Sequence, residues 1–369
     1  MLLRKESNSP ILDSSVQISN GLKETSADGA ALVFDKKYGI MFCAYMPGYQ
    51  GNYGESRGRI ALSFFPASQP SNIRFVTVAE GDDVYCSNAF GLGDGKVRIF
   101  YERHSRSDRD HFTSFKDYDF LTDTLSEEKI VMLKREDGEI VPLTQSEQFA
   151  YLEKNGFSDY TYRCTEQIAF GRPTIFRADD GYCCSSITSF LAEPILCRSE
   201  DNLETIEFFA VCPYLAQYEM DYKIIGGKIH AIFRTAKETD CIYTTTSEDM
   251  GKTWTEPVCF EGSTQCGPRA IIYNNNILMS YNYFNPDTKN RPEIQQGRTS
   301  IRLVYGEERT VVAELYSKCG IVNVSLNDVL GDLYLAYSTS ELALEYQNGN
   351  PKVRGKDAIR YVKLGDMIP

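Results

Sequence analysis

The chain of 369 residues is 42% hydrophobic and 24% charged, the balance of a folded soluble protein rather than a disordered one. Its 39 basic and 51 acidic side chains sum to −12, which argues against a nucleic-acid partner. No apolar run approaches the roughly 18 residues of a membrane span. The opening MLLRKESNSPILDSS also lacks the apolar stretch of a secretory leader, so a cytoplasmic location with no membrane partner is expected.

In chain order, short apolar runs alternate with turn residues. ALVF (31–34) and IMFCAY (40–45) flank Asp35-Lys36-Lys37, and KVRIFY (96–101) follows Asp94-Gly95. TIF (174–176) and YCCSSI (182–187) flank Asp179-Asp180-Gly181, and KIHAIF (228–233) follows Gly226-Gly227. ILMSYNY (277–283) follows Asn274-Asn275, and LYLAYS (333–338) follows a turn over Asp328 to Asp332. These β-branched and aromatic runs bounded by Gly, Asp and Asn read as strands meeting in six hairpins. Most spacings are about 50 to 60 residues, which suits four short strands per propeller blade.

The longest gap, between the second and third hairpins, is read as an insertion over about residues 125–165. It contains the charged stretch LKREDGEI, read as a loop, and TQSEQFAYLEK (144–154). Thr144 with Glu147 forms a capping-box pattern, and Asn155-Gly156 supplies a stop, so one helix is expected there. The fold class is therefore all-β: a single-domain six-bladed β-propeller over 1–369, of four-stranded antiparallel blades, with one short helical insertion.

Eleven cysteines, an odd number, are scattered through strand-like runs. They read as small buried hydrophobes in a reducing compartment. No CxxC pair occurs, and the adjacent Cys183 and Cys184 do not have zinc-knuckle spacing, so no metal or other cofactor is expected.

Residues 247–254, SEDMGKTW, place Ser247, Asp249, Gly251, Thr253 and Trp254 in an S-x-D-x-G-x-T-W pattern. A degenerate copy, SEDNLETI, spans 199–206 with Ser199, Asp201 and Thr205, offset by 247 − 199 = 48 residues. The Ser and Asp side chains suit capping of backbone N–H groups in a tight turn, with Gly supplying a left-handed conformation. Two copies in phase with the strand repeat resemble the Asp boxes of the sialidase (neuraminidase) superfamily, also called BNR proteins. The resemblance covers most of the chain at the repeat level and is specific over residues 199–269. It implies a six-bladed propeller, with the boxes on the face away from a site at the axis.

The resemblance also implies site residues. The family keeps a Glu at the start of the fourth inner strand and an Arg at the end of the next strand. Glu219 and Arg234 stand there, 234 − 219 = 15 apart. Arg269, in CGPRAII, stands where the family Arg opens the fifth blade. Such guanidinium groups can hold a carboxylate through paired charge-assisted hydrogen bonds. Two family features are absent: Asp28-Gly29-Ala30-Ala31 replaces the Arg motif of the first blade, and Gly320-Ile321-Val322-Asn323 lacks the nucleophilic Tyr of the sixth. Tyr316 lies too early to replace it.

Other residues can complete a site. Glu55, in the loop MPGYQGNYGESRGR, stands where sialidases place their acid/base Asp, and Arg57 is a substitute for the lost Arg. Arg172 in FGRP opens blade three. Asn88 and Glu102-Arg103-His104 belong to blade two. Asp221 follows Glu219 by two, so both share a strand face. Glu219, Glu55 and Asp221 are thus the catalytic candidates, because glycoside hydrolysis uses paired carboxylates. Arg234, Arg269, Arg172, Arg57, Asn88, His104 and Tyr283 are the substrate-binding candidates. Tyr45, Tyr49, Tyr53 and Phe284 join Tyr283 as expected exposed aromatics that stack on sugar faces.

Each also has a structural alternative. Glu219–Arg234 suits an ordinary channel ion pair, Arg269 an inter-blade bridge, and Glu55 with Arg57 a solvated loop. His104 lies in the mixed-charge run RHSRSDRDH; His111 and His230 suit satisfied strand histidines. Three functions fit a carbohydrate partner: an exo-acting glycoside hydrolase on an anionic or modified sugar, a polysaccharide or oligosaccharide lyase, and a non-catalytic glycan- or protein-binding propeller.

Overall fold

The computed structural model describes residues 15–19, 27–47, 58–81, 83–104, 111–157, 167–170, 174–214, 216–235, 241–260, 263, 267–283, 300–316, 320–329, 331–340, 342–347, 350–355 and 359–364. Every one of the six expected hairpin turns joins an innermost strand to the second strand of a blade. Blade 1 runs outward through Ala27–Asp35, Ile40–Pro47, Gly58–Pro66 and Arg74–Gly81. The innermost strands of blades 2, 4, 5 and 6 are Val84–Gly93, Ala216–Ile225, Arg269–Tyr273 and Gly320–Val329. Blade 6 closes the ring: its inner strand pairs with Asp332–Ser340, then Ile359–Lys363, then the N-terminal Val16–Gln17. A separate hairpin, Leu342–Gln347 with Asn350–Gly355, is inserted in that blade between its second and third strands.

Strand periodicity explains the packing. Ile40–Pro47 is buried along its whole length. Ile40, Phe42, Ala44 and Met46 face blade 2, while Met41, Cys43 and Tyr45 face blade 6. A strand buried on both faces has no polar side, which is why the run reads as continuously apolar. Six apolar clusters recur around the described ring, one between each neighbouring pair of blades. Cys43 sits in one of them, and burial pushes its thiol up to about 12. Tyr45 is in the same cluster, fully buried, so the expectation of an exposed sugar-stacking ring fails there.

Blade 3 departs from the four-strand plan. Its inner edge is split into Gln167–Ala169 and Phe176–Arg177, both paired with Cys183–Ala192. Its outer edge is extended by Met132–Lys134, parallel to Thr205–Val211, and by Ile140–Pro142. The LKREDGEI stretch expected as a loop is therefore a hairpin turning at Asp137-Gly138, with Gly138 at φ 88°. The expected helix spans Gln145–Lys154, and Thr144 accepts from the Glu147 backbone N–H. Glu147 does not complete the capping box; its carboxylate pairs with Arg135 instead.

The two S-x-D turns share one hydrogen-bond scheme. Ser247 Oγ accepts from Gly251 N, and Asp249 Oδ1 accepts from Thr253 N, both at 2.8 Å. Ser199 Oγ accepts from Leu203 N, and Asp201 Oδ1 from Thr205 N, also at 2.8 Å. Leu203 takes the left-handed φ of 66° that Gly251 takes at 89°, and it is kept there with its side chain fully buried. Hydrogen bonds from the Thr253 hydroxyl and backbone hold the Asp249 carboxyl down at about 2, from an ordinary 3.8. A depressed carboxyl stabilises the fold above its unfolded pKa and loses that contribution as pH falls through the folded one. Asp249→Asn is therefore expected to lower the melting temperature at pH 6, with the gap from the parent protein closing between about pH 4 and pH 2.

Candidate functional site

The innermost strands enclose a central cavity of about 500 Å³, lined from blades 1, 2, 3, 5 and 6. Leu32, Asn88, Thr174, Arg269 and Asn327 are among its lining residues. Glu219 lies near the start of the blade 4 inner strand, and Arg234 near the end of the adjacent Lys228–Thr235. In an antiparallel pair those positions lie at the same end, opposite the Gly226-Gly227 turn. Arg269 begins the blade 5 inner strand at that end too.

Backbone irregularities gather at this end. The inner strands of blades 1, 2, 4 and 6 shift register near their starts, between Asp28/Ala31, Tyr85/Ser87, Ala216/Met220 and Val322/Ser325. Such bulges bend a strand and re-aim its side chains, and they concentrate beside functional sites. Glu219 lies within the blade 4 bulge.

Three of the expected site residues are brought together. Arg234 Nη1 donates to Glu219 Oε2 at 3.2 Å, with the Glu219 side chain 1% exposed and that of Arg234 13%. A methyl group on Gly267 would lie 3.0 Å from the Glu219 carboxyl carbon and Oε1, and 3.1 Å from Arg269 Nη1. Glu219 and Arg269 thus converge on the space that a bare glycine leaves. Arg269 also donates to the Pro268 carbonyl at 2.8 Å, and it lines the central cavity. Gly267→Ala should drive these groups apart by a few tenths of an ångström. It is expected to weaken ligand binding or turnover roughly tenfold while leaving the melting temperature nearly unchanged, as steady-state kinetics and a thermal scan would report.

Asp221 sits two residues below Glu219 and is fully buried. Its Oδ1 accepts from Lys223 Nζ at 2.7 Å and from Tyr222 N at 2.9 Å. Its Oδ2 accepts from the Thr174 hydroxyl at 2.7 Å and from Ala270 N at 2.8 Å. One carboxylate therefore ties blades 3, 4 and 5 together directly behind Arg269. Lys223 is buried as well; burial pulls its ammonium below the ordinary lysine value, while the Asp221 charge opposes that fall.

The remaining candidates are dispersed. Asn88 is buried and lines the cavity, its Oδ1 accepting from Ala89 N at 2.8 Å. Tyr283 ends the second strand of blade 5, and the Arg302 guanidinium lies 3.2 Å from its ring centroid, covering one face. Glu102 is buried and accepts from the Thr113 hydroxyl at 3.1 Å, whereas Arg103 turns to Glu128 and Asp83. Glu55, Arg57 and Arg172 lie outside the described residues, as do Tyr49, Tyr53 and Phe284; of His104 only the strand backbone is described. Thr174, Lys223 and Gly267 were not among the expected site residues. The alternation Glu219-x-Asp221-x-Lys223 on one strand face was the available signal for Lys223. Among the described residues no group of three metal-ligating side chains converges.

No family profile matches the chain, and no curated protein matches it in sequence. Solved structures do match in fold. The Trypanosoma rangeli sialidase in complex with sialic acid aligns with a TM-score of 0.62 at 14% identity, over 100% of this chain and 59% of that one. The NanB sialidase from Streptococcus pneumoniae aligns with a TM-score of 0.56 at 11% identity, over 96% of this chain and 70% of that one. A protein of unknown function from Dyadobacter fermentans aligns with a TM-score of 0.60 at 13% identity, over 94% and 97% of the two chains. The chain thus spans under two thirds of the trypanosomal sialidase, and at such identities the likeness is one of fold. The protein has the sialidase-like six-bladed β-propeller fold.

Proposed function

We propose that this propeller is a carbohydrate-active enzyme, an exo-acting glycoside hydrolase for an anionic or modified sugar. The observation that carries the reading is the convergence of Glu219, Arg234 and Arg269 at the channel end where the inner strands bulge. In this reading Arg234 and Arg269 hold the anionic group of the sugar. Glu219 works as one of the two carboxylates, with Glu55 as its partner across the sugar ring. Asp221, with four hydrogen bonds already made, acts as the residue that positions Arg269 through the backbone of Ala270. The two S-x-D turns are read as Asp boxes, structural devices on the opposite face. A reducing, cytoplasmic setting belongs to this reading, as eleven scattered cysteines with no CxxC pair suggest.

A second reading, a glycan-binding propeller without turnover, is favoured by Asp28-Gly29-Ala30-Ala31 and Gly320-Ile321-Val322-Asn323, where a sialidase would carry its first Arg and its Tyr. The deciding experiment is a screen of purified protein against aryl glycosides, sialosides among them, and uronate-containing oligosaccharides. Aryl release supports the hydrolase. New near-ultraviolet absorbance without aryl release indicates a lyase. Calorimetric binding with no turnover indicates the binding propeller.

A further inference from the structure

A second polar cleft lies between blades 4 and 5 on the opposite face from Glu219. Lys228 follows the Gly226-Gly227 turn, and Glu307 and Arg309 occupy the turn between Ser300–Tyr305 and Thr310–Tyr316. The Ser247–Trp254 turn lies at this same end of blade 4. The cleft encloses about 290 Å³. That is the lower end of ordinary small-ligand clefts, roughly 300 Å³, and suits one ring better than a chain.

Two buried side chains at its base have unused hydrogen-bonding capacity. Thr244 is 7% exposed, and its hydroxyl has no hydrogen-bond partner among the described residues. Its strand pairing places it opposite Ile232, on the face that packs against blade 5. His230 is 8% exposed, and its Nε2 lies 3.6 Å from Glu307 Oε1, beyond a good hydrogen bond. Buried polar groups are normally satisfied, so such a pair in a cleft marks the place for a ligand's hydroxyls. Burial lowers the His230 pKa, and the neutral ring offers one donor and one acceptor.

The charges around the cleft select the class of ligand. Lys228 is already neutralised by Glu307 at 2.9 Å and Glu248 at 3.7 Å. Arg309 lies over the Phe260 ring at 5.9 Å, and Glu256 lines the same cleft. Lys228 and Arg309 face Glu248, Glu256 and Glu307, a mixture of donors and acceptors with one excess negative charge, which disfavours an anionic ligand. Met279 and the 44%-exposed Val258 add a small apolar surface. A neutral polyol ring has that same combination, hydroxyls at its edge and C–H groups on its face. The geometry points to a binding site for one neutral sugar residue in this cleft, separate from the channel site.

The test is saturation-transfer NMR and calorimetry on the full chain, using the methyl glycosides of glucose, galactose, mannose and N-acetylglucosamine, with sodium sulfate as the anionic comparison. The expected result is transfer to the ring protons of at least one glycoside. Thr244→Val should weaken that binding roughly fivefold or more through the lost hydrogen bond. Thr244→Ser should retain it, which also controls for misfolding, and Glu219→Gln should leave it unchanged. Absence of transfer from all four glycosides would overturn the site. So would binding that ignores Thr244→Val, that is lost with Glu219→Gln, or that sulfate displaces competitively.

Discussion

Replacing Asp221 by alanine is expected to destabilise the protein by about 3–5 kcal/mol, the cost of leaving a buried charge without its partner. Lys223 would keep its place between Phe176, 4.5 Å from Nζ to the ring centroid, and the Tyr222 carbonyl, with no carboxylate to balance it. The Thr174 hydroxyl and the Ala270 N–H would lose their acceptor at the same time. Urea unfolding should show the loss as a fall in midpoint. The double variant Asp221→Ala/Lys223→Met should recover much of it, because exchanging both members of a buried pair for apolar groups is often close to neutral. If the double variant is as unstable as Asp221→Ala, the inter-blade hydrogen bonds matter more than the charge pair.

Under the proposed hydrolase activity, Glu219→Gln is expected to lower kcat by about 10²–10⁴-fold, the usual range for losing a positioned acid or base. The substitution keeps the side chain's shape and leaves an oxygen to accept from Arg234 Nη1, so the melting temperature should change little. Parallel kinetics and thermal scans separate the two effects. A variant that melts like the parent and turns over like the parent would remove Glu219 from the chemistry.

Local signals made the architecture legible. Each blade's first hairpin is marked by Asp, Asn or Gly where the chain must reverse, and the two S-x-D turns repeat one hydrogen-bond scheme. The strand extension at 132–142 was not legible, since each strand has three residues and Ile140 is 56% exposed, leaving little alternation to read. Tyr45 was misplaced because a strand buried on both faces shows no polar side to reveal its ends.

Within the site, Glu219 and Arg234 were legible through the family resemblance, which implies a Glu and an Arg at these places, and both belong to one hairpin. The Thr174–Asp221 bond, 47 residues apart, and the approach of Glu219 and Arg269 over Gly267 depend on how blades pack. No local pattern encodes such contacts. Gly267 in particular looks like an ordinary turn glycine, whereas its role here is to leave out a side chain.

The most direct measurement takes whichever acidic sugar the substrate screen finds to bind and compares it with its methyl ester by calorimetry, on the parent protein and on Arg269→Ala. The two ligands share every hydroxyl and differ in the carboxylate that Arg234 and Arg269 are assigned to hold. The account predicts that the acid binds at least about tenfold more tightly than the ester, the scale of a charge-assisted hydrogen bond. It also predicts that Arg269→Ala removes most of that difference. Equal affinity for acid and ester, or a preference untouched by Arg269→Ala, would contradict it.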